Sequence, residues 1–261
     1  MSGWSVLARE LDAWQALGRR ATLWWRDDDA CRHSPALQRL LDIAQRCDVP
    51  VTLAAIPATA DASLVEAVAG CERMTVVQHG YAHANHAPAG ERSSELGAHR
   101  ALAVRLDELR RGVKALERLF GNRFAAILVP PWNRIDAAML PALHDVALRG
   151  ISCFGPRASA SPQPGLLQVN AHVDPIAWRR DRAFIGSDAA VDRLATHLRA
   201  RRSGEVDADE PTGLLTHHVV FTDPAWDFVG ELCARTRRHR AAQWLDAAAV
   251  FSAAPQVTSS R

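Results

Sequence analysis

Short apolar segments alternate with amphipathic ones along most of the chain, and this alternation restricts the folds that the sequence can adopt. Helical patterns, such as the one over 34–47 with Ser34 as its N-cap and a long one over 92–120, separate the apolar segments. Strands joined through helices form parallel sheets that helices cover, so the sequence predicts an α/β fold, either an open sheet or a barrel. The clearest predicted strands are ATLWWR (21–26), VPVTLAAIP (49–57), MTVVQHG (74–80), RFAAILVPPW (123–132) and LLTHHVVF (214–221).

The same patterns divide the chain into three parts. Apolar residues recur at helical spacing within 1–20, which predicts an N-terminal amphipathic helix packed on the domain. Residues 21–250 are expected to form one catalytic domain, and 251–261 a flexible tail. We find neither a signal-peptide core nor the run of about 20 apolar residues that a membrane span needs. We therefore expect a cytoplasmic protein without a transmembrane segment.

Charge and cysteine usage exclude some classes of function. The chain has 31 basic and 29 acidic residues, a net charge of +2, whereas a nucleic-acid binder is expected to be strongly basic. The five cysteines are widely spaced and form no CxxC pair, which indicates reduced thiols and not a disulfide framework or a zinc ribbon. We expect a small-molecule or glycan-precursor substrate as the partner, and no nucleic acid. The oligomeric state is not predicted.

Residues that can bind a metal ion follow several predicted strands. Asp27, Asp28 and Asp29 come after the first strand, and His79 and His83 after the third. Adjacent carboxylates repel one another, so such a cluster stands either on a solvated turn or around a cation. Histidines four residues apart point the same way if the chain is helical there, as zinc-binding pairs do, although surface helices also carry this spacing. The carboxyl ends of parallel strands share one rim, where we also expect Pro131, Trp132, Asp174, His217 and His218.

Five segments carry a resemblance to a known family. In order, RDDDA, HGYAH, VPPWNR, HVDPIAW and LLTHH resemble the five motifs of the polysaccharide deacetylase (NodB-homology) superfamily, carbohydrate esterase family 4. The first two are close to the family patterns, and the other three match in residue type and order, as in a divergent branch. The resemblance implies a single-domain, deformed (β/α) barrel of about seven parallel strands. It also implies a divalent metal ion, usually zinc, held by one aspartate and two histidines.

The resemblance further implies separate roles for the aspartates and the first histidines. In one register, Asp27 is the general base and Asp28 binds the metal with His79 and His83, while Asp29 stands at the family's glycine. A register shifted by one residue, with Asp28 as the base and Asp29 as the ligand, stays open.

The last motifs are expected to supply the general acid and its support. His217 matches the family's acid, and Asp174 would tune it. Neighbours on a strand face opposite sides, so only one of His217 and His218 can enter the site, and His218 is the alternative.

Substrate contacts follow from the same resemblance. Trp178 and Leu215 would line the acyl pocket, and the backbone N–H of Trp132 would help hold the oxyanion. Pro131 and Asn133 lie beside them at the rim. The family's third-motif arginine, which pairs with the catalytic base, falls at Val129 in this chain, and either Arg134 or Arg26 is expected to supply the missing charge.

Together these features predict a metal-dependent hydrolase that removes an acyl group, typically acetyl, from an N-acylated sugar or a glycoside or glycolipid precursor. Two alternatives stay open. One is a hydrolase of a non-sugar amide C–N bond on the same scaffold, because fold and metal do not fix the substrate. The other is a non-catalytic carbohydrate-binding relative, which the loss of the third-motif arginine would permit.

Overall fold

Seven parallel strands form the centre of the protein in the computed structural model, which describes residues 3–252. They are β1 (Ala21–Ala30), β2 (Val51–Ala55), β3 (Met74–His79), β4 (Phe124–Val129), β5 (Gly150–Ile151), β6 (Leu167–Gln168) and β7 (Thr212–Thr216). Their order across the sheet is β6-β5-β4-β3-β2-β1-β7, and β8 (Ala242–Trp244) pairs with the beginning of β1. The order places β1 between β2 and β7, so both of its edges are hydrogen-bonded to a neighbouring strand.

The sheet curls until its two edges meet. After β6 the chain continues to Val173, which forms a parallel bridge with Leu214 of β7. The N–H of Val173 donates to the carbonyl of Gly213 at 3.0 Å, and the N–H of Leu215 donates to the carbonyl of Val173 at 2.8 Å. These bonds join the edge that begins at β6 to the edge formed by β7. The predicted single-domain, deformed (β/α) barrel of about seven parallel strands is therefore confirmed.

Helices cover the outside of the curled sheet. They are α1 (Gly3–Ala16), α2 (Pro35–Cys47), α3 (Ala62–Ala69), α4 (Leu102–Phe120), α5 (Ser187–Ser203), α6 (Asp223–Arg238) and α7 (Ala247–Val250), with 3-10 segments at 121–123, 131–133, 137–146 and 218–220. The hydroxyl of Ser34 accepts a hydrogen bond from the N–H of Leu37 and caps α2 as expected. Helix α1 packs against α5 and buries Leu7, Leu11 and Trp14.

The core is built on strands that are apolar on both faces. Trp24 and Trp25 of β1 are completely or almost completely buried. The indole N–H of each of these two residues has an acceptor, the carbonyl of Asn170 for Trp24 and the hydroxyl of Thr216 for Trp25. Burial of an aromatic side chain stabilises the fold by about 2 kcal/mol or more. Because both of these indole N–H groups keep an acceptor, no unsatisfied donor reduces this stabilisation.

Several element boundaries differ from the predictions. The pattern over 92–120 becomes helical only at Leu102, and the strand predicted over 214–221 ends at Thr216. The pattern over 136–148 predicts a helix interrupted at Pro141, and the structure has a 3-10 helix over Ala137–Val146 that contains this proline, which lacks the N–H that a regular helix would use. Strand β8 and helix α7 were not predicted. Of the predicted tail, Phe251 lies edge-on against Trp24, and 253–261 lie outside the described residues.

None of the helices within residues 3–252 combines the length and the apolar character that crossing a membrane requires. The cytoplasmic location stays a prediction.

Candidate metal centre

The three consecutive aspartates of β1 reach three different partners because the strand is irregular at that point. Strand β1 pairs with β2 at Asp27 and again at Ala30, with a shift of register between them. Asp29 has φ of 71°, a left-handed conformation that is uncommon for a residue with a side chain. An extra residue in one strand bends it and re-aims its side chains. The irregularity therefore turns Asp29 out of the strand's alternation.

Asp29 is the aspartate that meets the two histidines. Its Oδ1 lies 3.2 Å from Nε2 of His79 and 3.3 Å from Nε2 of His83. Within the described residues, these three side chains are the one group of His, Cys, Asp or Glu with donor atoms all within 4.8 Å of one another. Of the registers that the sequence leaves open, the shifted one matches this placement.

The turn between the histidines is not helical, so the helical premise for the HxxxH pair was wrong. Gly80 and His83 both have positive φ, 56° and 53°. The Glu95 carboxylate accepts hydrogen bonds from the N–H groups of Tyr81 and Ala82, at 3.1 and 2.7 Å. A buried carboxylate thus fixes the backbone of the turn, and the turn brings the rings within 5.0 Å of one another.

Further contacts orient the His79 ring. Its Nδ1 lies 2.9 Å from the carbonyl oxygen of Val129, an acceptor that requires this nitrogen to carry the proton. Nε2 then presents its lone pair towards Asp29. Metal-binding histidines are commonly held by such a hydrogen bond from the other ring nitrogen.

The three side chains fit a divalent metal ion. A tetrahedral ion with bonds of about 2.0 Å places neighbouring ligand atoms about 3.3 Å apart, close to the Asp29–histidine separations. Oδ1 of Asp29 is buried and has no hydrogen-bond partner within the described part of the chain. A buried carboxylate oxygen without a donor is costly unless a cation satisfies it. One carboxylate and two imidazoles form a donor set typical of zinc.

The electrostatics of the trio favour a positive charge between them. Burial alone would raise the pKa of the Asp29 carboxyl, but the adjacent histidines, His79 foremost, lower it well below its usual range. Burial and the charge of His79 lower the pKa of His83, which keeps that imidazole neutral at pH 7. Burial acts to lower the pKa of His79, yet the charges of Asp28 and Asp29 raise it overall.

Asp28 forms a buried ion pair with Arg26. Nε and Nη2 of Arg26 donate to the two carboxylate oxygens at 2.9 and 3.0 Å, which is the bidentate geometry of the strongest arginine–carboxylate pairs. The remaining donors reach the Ser152 hydroxyl at 2.6 Å and Oδ1 of Asn133 at 2.7 Å. Arg26 is thus the one of the two expected arginines that meets a carboxylate of the cluster. The other, Arg134, donates to the carbonyl of Ser93.

Asp27 is fully buried and is not part of the group that Asp29 forms with the two histidines. Its carboxylate pairs with Nδ1 of His218 and accepts from the N–H of the same residue at 3.0 Å. The hydroxyl of Thr216 donates to it at 2.6 Å. The structure therefore does not bring Asp27 and Asp28 to the positions that the first register requires, because His218 and Arg26 occupy their carboxylates.

His217 faces the other way and joins Asp174 and Trp178. The indole of Trp178 contacts the His217 ring with 4.7 Å between centroids and donates to Oδ2 of Asp174 at 2.7 Å. Burial raises the pKa of the Asp174 carboxyl, and the charge of His217 lowers it only in part. Nδ1 of His217 is buried without a hydrogen-bond partner among residues 3–252. His217, not His218, is therefore the histidine placed with Asp174.

The expected substrate contacts surround these groups. The Trp132 ring lies against His83 with 4.4 Å between centroids, and Trp132 and Asn133 both have φ of 56°. Pro131 is buried against Gly80, where a Cβ would lie 2.5 Å from the proline ring. Leu215 is buried on β7 and pairs in register with Arg26. Residues with side chains at positive φ, including Asp29 and His83, concentrate here, as they do at functional sites.

Two residues of this centre were missed by the sequence interpretation. Glu95 was placed within a predicted helix, and Ser152 was not singled out. The signal for Glu95 was weak, because a single glutamate before a long amphipathic segment usually faces solvent. Its burial beside Gly80 depends on the fold of the loop.

The comparisons with known proteins bear on the fold. No family model and no curated protein matches the chain. Among solved structures, it is similar to a protein provisionally named as a polysaccharide deacetylase from Mycobacterium smegmatis, with 15% identity, 87% of each chain covered and a TM-score of 0.63. It is similar to a family 4 carbohydrate esterase from Streptomyces lividans in complex with acetate, with 18% identity, 83% of this chain and 90% of that chain covered, and a TM-score of 0.53.

A third similar structure is a mutant of a family 4 pseudoenzyme in which enzymatic activity was restored. Its identity is 16%, its TM-score 0.53, and the match covers 86% of this chain and 65% of that chain. At these identities the likeness shows the fold, which is the one that the sequence resemblance implied. The pseudoenzyme shows that this fold also occurs without activity.

Proposed function

We propose that the protein is a metal-dependent hydrolase that removes an acyl group, typically acetyl, from an N-acylated sugar or a glycoside or glycolipid precursor. The observation that carries the proposal is the Asp29–His79–His83 trio at ligand spacing, with the Arg26–Asp28 pair on the same strand and His217 nearby in the fold. A trio alone would suit a binding site. The hydrolysis of an amide also needs a base and an acid, and Asp28, held by Arg26, and His217, held beside Asp174 and Trp178, suit these two roles.

Asp29, His79 and His83 would hold the ion, and zinc is the ion that these donors favour. A bound divalent ion supplies Lewis acidity, which activates water near pH 7 and polarises a carbonyl. Three protein ligands leave coordination positions open for such chemistry.

Asp28 is the proposed general base. Its two oxygens already accept from Arg26, and each retains a lone pair, so the carboxylate can take a proton from the attacking water while the guanidinium holds its orientation. Arg26 thereby takes the place of the arginine that the family has at the position of Val129. The carboxylate of Asp27, the base in the other register, is paired with His218.

His217 is the proposed general acid, which donates a proton to the departing amine. Asp174 stabilises its charged form, and Trp178 holds both groups through one indole. Trp178 and Leu215 would line the acyl pocket, and the N–H of Trp132 would donate to the oxyanion. The amide C–N bond breaks, the acyl carbon keeps the water oxygen, and the amine leaves with the proton from His217.

The test is release of acetate from N-acetylglucosamine oligomers and simple glycosides by the zinc-loaded protein. We expect turnover that falls at least about 100-fold in Asp28→Asn and His217→Ala, the usual loss for an acid–base group. His83→Ala should lose turnover too, while the matched variant His86→Ala, an exposed histidine three residues along the same loop, should keep it.

Two outcomes would point elsewhere. Zinc binding without turnover of any acylated sugar would favour the non-catalytic alternative. The structurally similar pseudoenzyme is an example of a protein with this fold that lacks activity. Turnover of non-sugar amides alone would favour the other alternative, the same chemistry on another substrate.

A further inference from the structure

Asp27 holds the chain on both sides of His217. It lies on β1, where it is paired in register with Thr216 of the neighbouring strand β7. The hydroxyl of Thr216 donates to Oδ2 of Asp27 at 2.6 Å, and the N–H of His218 donates to the same oxygen at 3.0 Å. Oδ1 pairs with Nδ1 of the His218 ring. Asp27 therefore binds the residue before His217 and the residue after it.

The Thr216 hydroxyl is fixed from its other side as well. It accepts a hydrogen bond from the indole N–H of Trp25 at 2.8 Å. Trp25 and Asp27 are alternate residues of one strand, and alternate residues share a face, so both reach the same hydroxyl. All four residues of this chain of bonds, Trp25, Thr216, Asp27 and His218, are at most 2% exposed. A buried network whose members find partners holds them in one arrangement.

The same carboxylate anchors the turn that follows His217. Strand β7 ends at Thr216, and the 3-10 segment 218–220 begins directly after His217. The first N–H groups of a helical turn need acceptors from outside the turn. Within the described chain, no side chain at the preceding residue caps this turn, and the N–H of His218 goes to Asp27 instead. The backbone at His217 is thus held between two anchored neighbours.

The His217 ring has no hydrogen bond of its own that orients it. Its Nδ1 is buried and lacks a partner among residues 3–252, and the ring packs against the Trp178 indole. The two oxygens of Asp174 accept from the N–H of Ile176 and from Trp178. The direction of the ring therefore depends on the backbone at residue 217, which Asp27 fixes on both sides.

We propose that Asp27 is a positioning residue for His217 and acts through Thr216 and His218. A general acid must lie within hydrogen-bond reach of the group that leaves, and a displacement of about 1 Å can cost about 100-fold in rate. The inference rests on the proposed function, because that function gives His217 its task. It also gives a role to the aspartate of the cluster that is neither a proposed metal ligand nor the proposed base.

Thr216→Val tests the role, because it removes the hydroxyl bond to Asp27 and leaves the aspartates themselves intact. Two substrates of the zinc-loaded full chain separate a misplaced acid from general damage. An N-acetylglucosamine oligomer has an amine that must be protonated to leave, whereas 4-nitrophenyl acetate has a phenolate that leaves without a proton. We expect kcat on the oligomer to fall about 10–100-fold, while its KM and the turnover of the ester change less than about threefold. Thr216→Ser, which keeps a hydroxyl, should restore turnover of the oligomer.

Two further variants complete the design. Thr212→Val is the matched control, because Thr212 is a fully buried threonine of the same strand whose hydroxyl bonds to His197 and Arg201, and not to Asp27. It should keep the turnover of both substrates. In a His217→Ala background, Thr216→Val should cost no further turnover of the oligomer, because no acid remains to be misplaced.

Hydrogen exchange at the backbone N–H of His218 gives a readout that does not depend on turnover. We expect Asp27→Ala to speed this exchange at least about tenfold, because the buried acceptor is lost, and Thr212→Val to leave it unchanged. Unchanged exchange in Asp27→Ala, equal loss of both activities in Thr216→Val, or a further loss in the His217→Ala background would overturn the positioning role and leave the deacetylase intact. Faster exchange in Asp27→Ala, in a wild type that turns over no acylated sugar, would keep Asp27 as the anchor of this segment and reject the proposed reaction.

Discussion

Replacing Arg26 with methionine tests how the proposed base is held. Arg26 and Asp28 are almost completely removed from water, with side-chain exposures of 0% and 2%. Methionine has similar length and packs in apolar surroundings, so the variant removes the charge and the hydrogen bonds without a large cavity. Asp28 would then be a buried carboxylate without its cation, and the Ser152 and Asn133 oxygens would lose a donor.

The size of the effect follows from this burial. Removing one partner of a buried ion pair costs about 3–5 kcal/mol, because the other charge is left uncompensated. The free energy of unfolding of a single domain is about 5–15 kcal/mol, so Arg26→Met should remove a large fraction of it. Asp28→Asn in the same protein removes the stranded charge. The double variant should therefore be at least about 2 kcal/mol more stable than the sum of the two single effects predicts.

Urea unfolding followed by circular dichroism, with a chelator present throughout, measures these energies without a contribution from metal binding. Arg73→Met is the matched control, because Arg73 forms an exposed ion pair with Asp48 and should cost less than about 1 kcal/mol. If Arg26→Met cost no more than Arg73→Met, or if the double variant were additive, the buried pair would not stabilise Asp28 as described.

Two further variants examine the turn and the buried histidines. Gly80→Ala should lower the melting temperature and weaken zinc binding, because Gly80 has φ of 56° and a Cβ there would lie 1.9 Å from the Glu95 carboxylate. Gly70→Ala is the control and should change neither property, because a Cβ at Gly70 meets nothing within 4 Å. Equal effects of the two substitutions would contradict this geometry. Burial, then the charges of His172 and Arg201, lower the pKa of His197 from 6.5 to about 3. The unfolded chain binds that proton more tightly, so stability is complete above about pH 6.5 and falls as the pH drops towards 3. In urea titrations at pH 7.5 and 5, His197→Gln should lose less stability on acidification than the wild type; an equal loss would refute this assignment.

The fold could be predicted because its causes are local and repeat along the chain. Apolar runs of strand length separated by amphipathic segments specify a parallel sheet, and polar residues at the carboxyl ends of β1 and β3 indicate the rim of the site. In the structure His79 and His83 lie beside Asp29, but the turn that brings them together is not the helix from which their spacing was interpreted. Gly80 and Glu95, which shape that turn, act through contacts that sequence spacing does not reveal.

The order of the three aspartates depended on a feature that the sequence pattern does not specify. In a regular strand Asp27 and Asp29 would share a face. The shift of register before Ala30 and the positive φ of Asp29 break that alternation. The partner of Asp28 was similarly hidden, since Arg26 is two residues away on the same strand. His217 contacts Trp178 and His218 pairs with Asp27, so the two rings face different groups even though β7 ends before both residues.

The metal content of three purified proteins tests the central claim most directly. Wild type, Asp29→Asn and Asp28→Asn would be loaded with zinc, freed of excess by gel filtration, and measured by inductively coupled plasma mass spectrometry. The structure predicts about one zinc per chain in the wild type and in Asp28→Asn, and a large loss in Asp29→Asn, because Asp29, unlike Asp28, lies at ligand distance from both histidines. Zinc retained by Asp29→Asn and lost by Asp28→Asn, or no zinc bound to the wild type, would contradict the account.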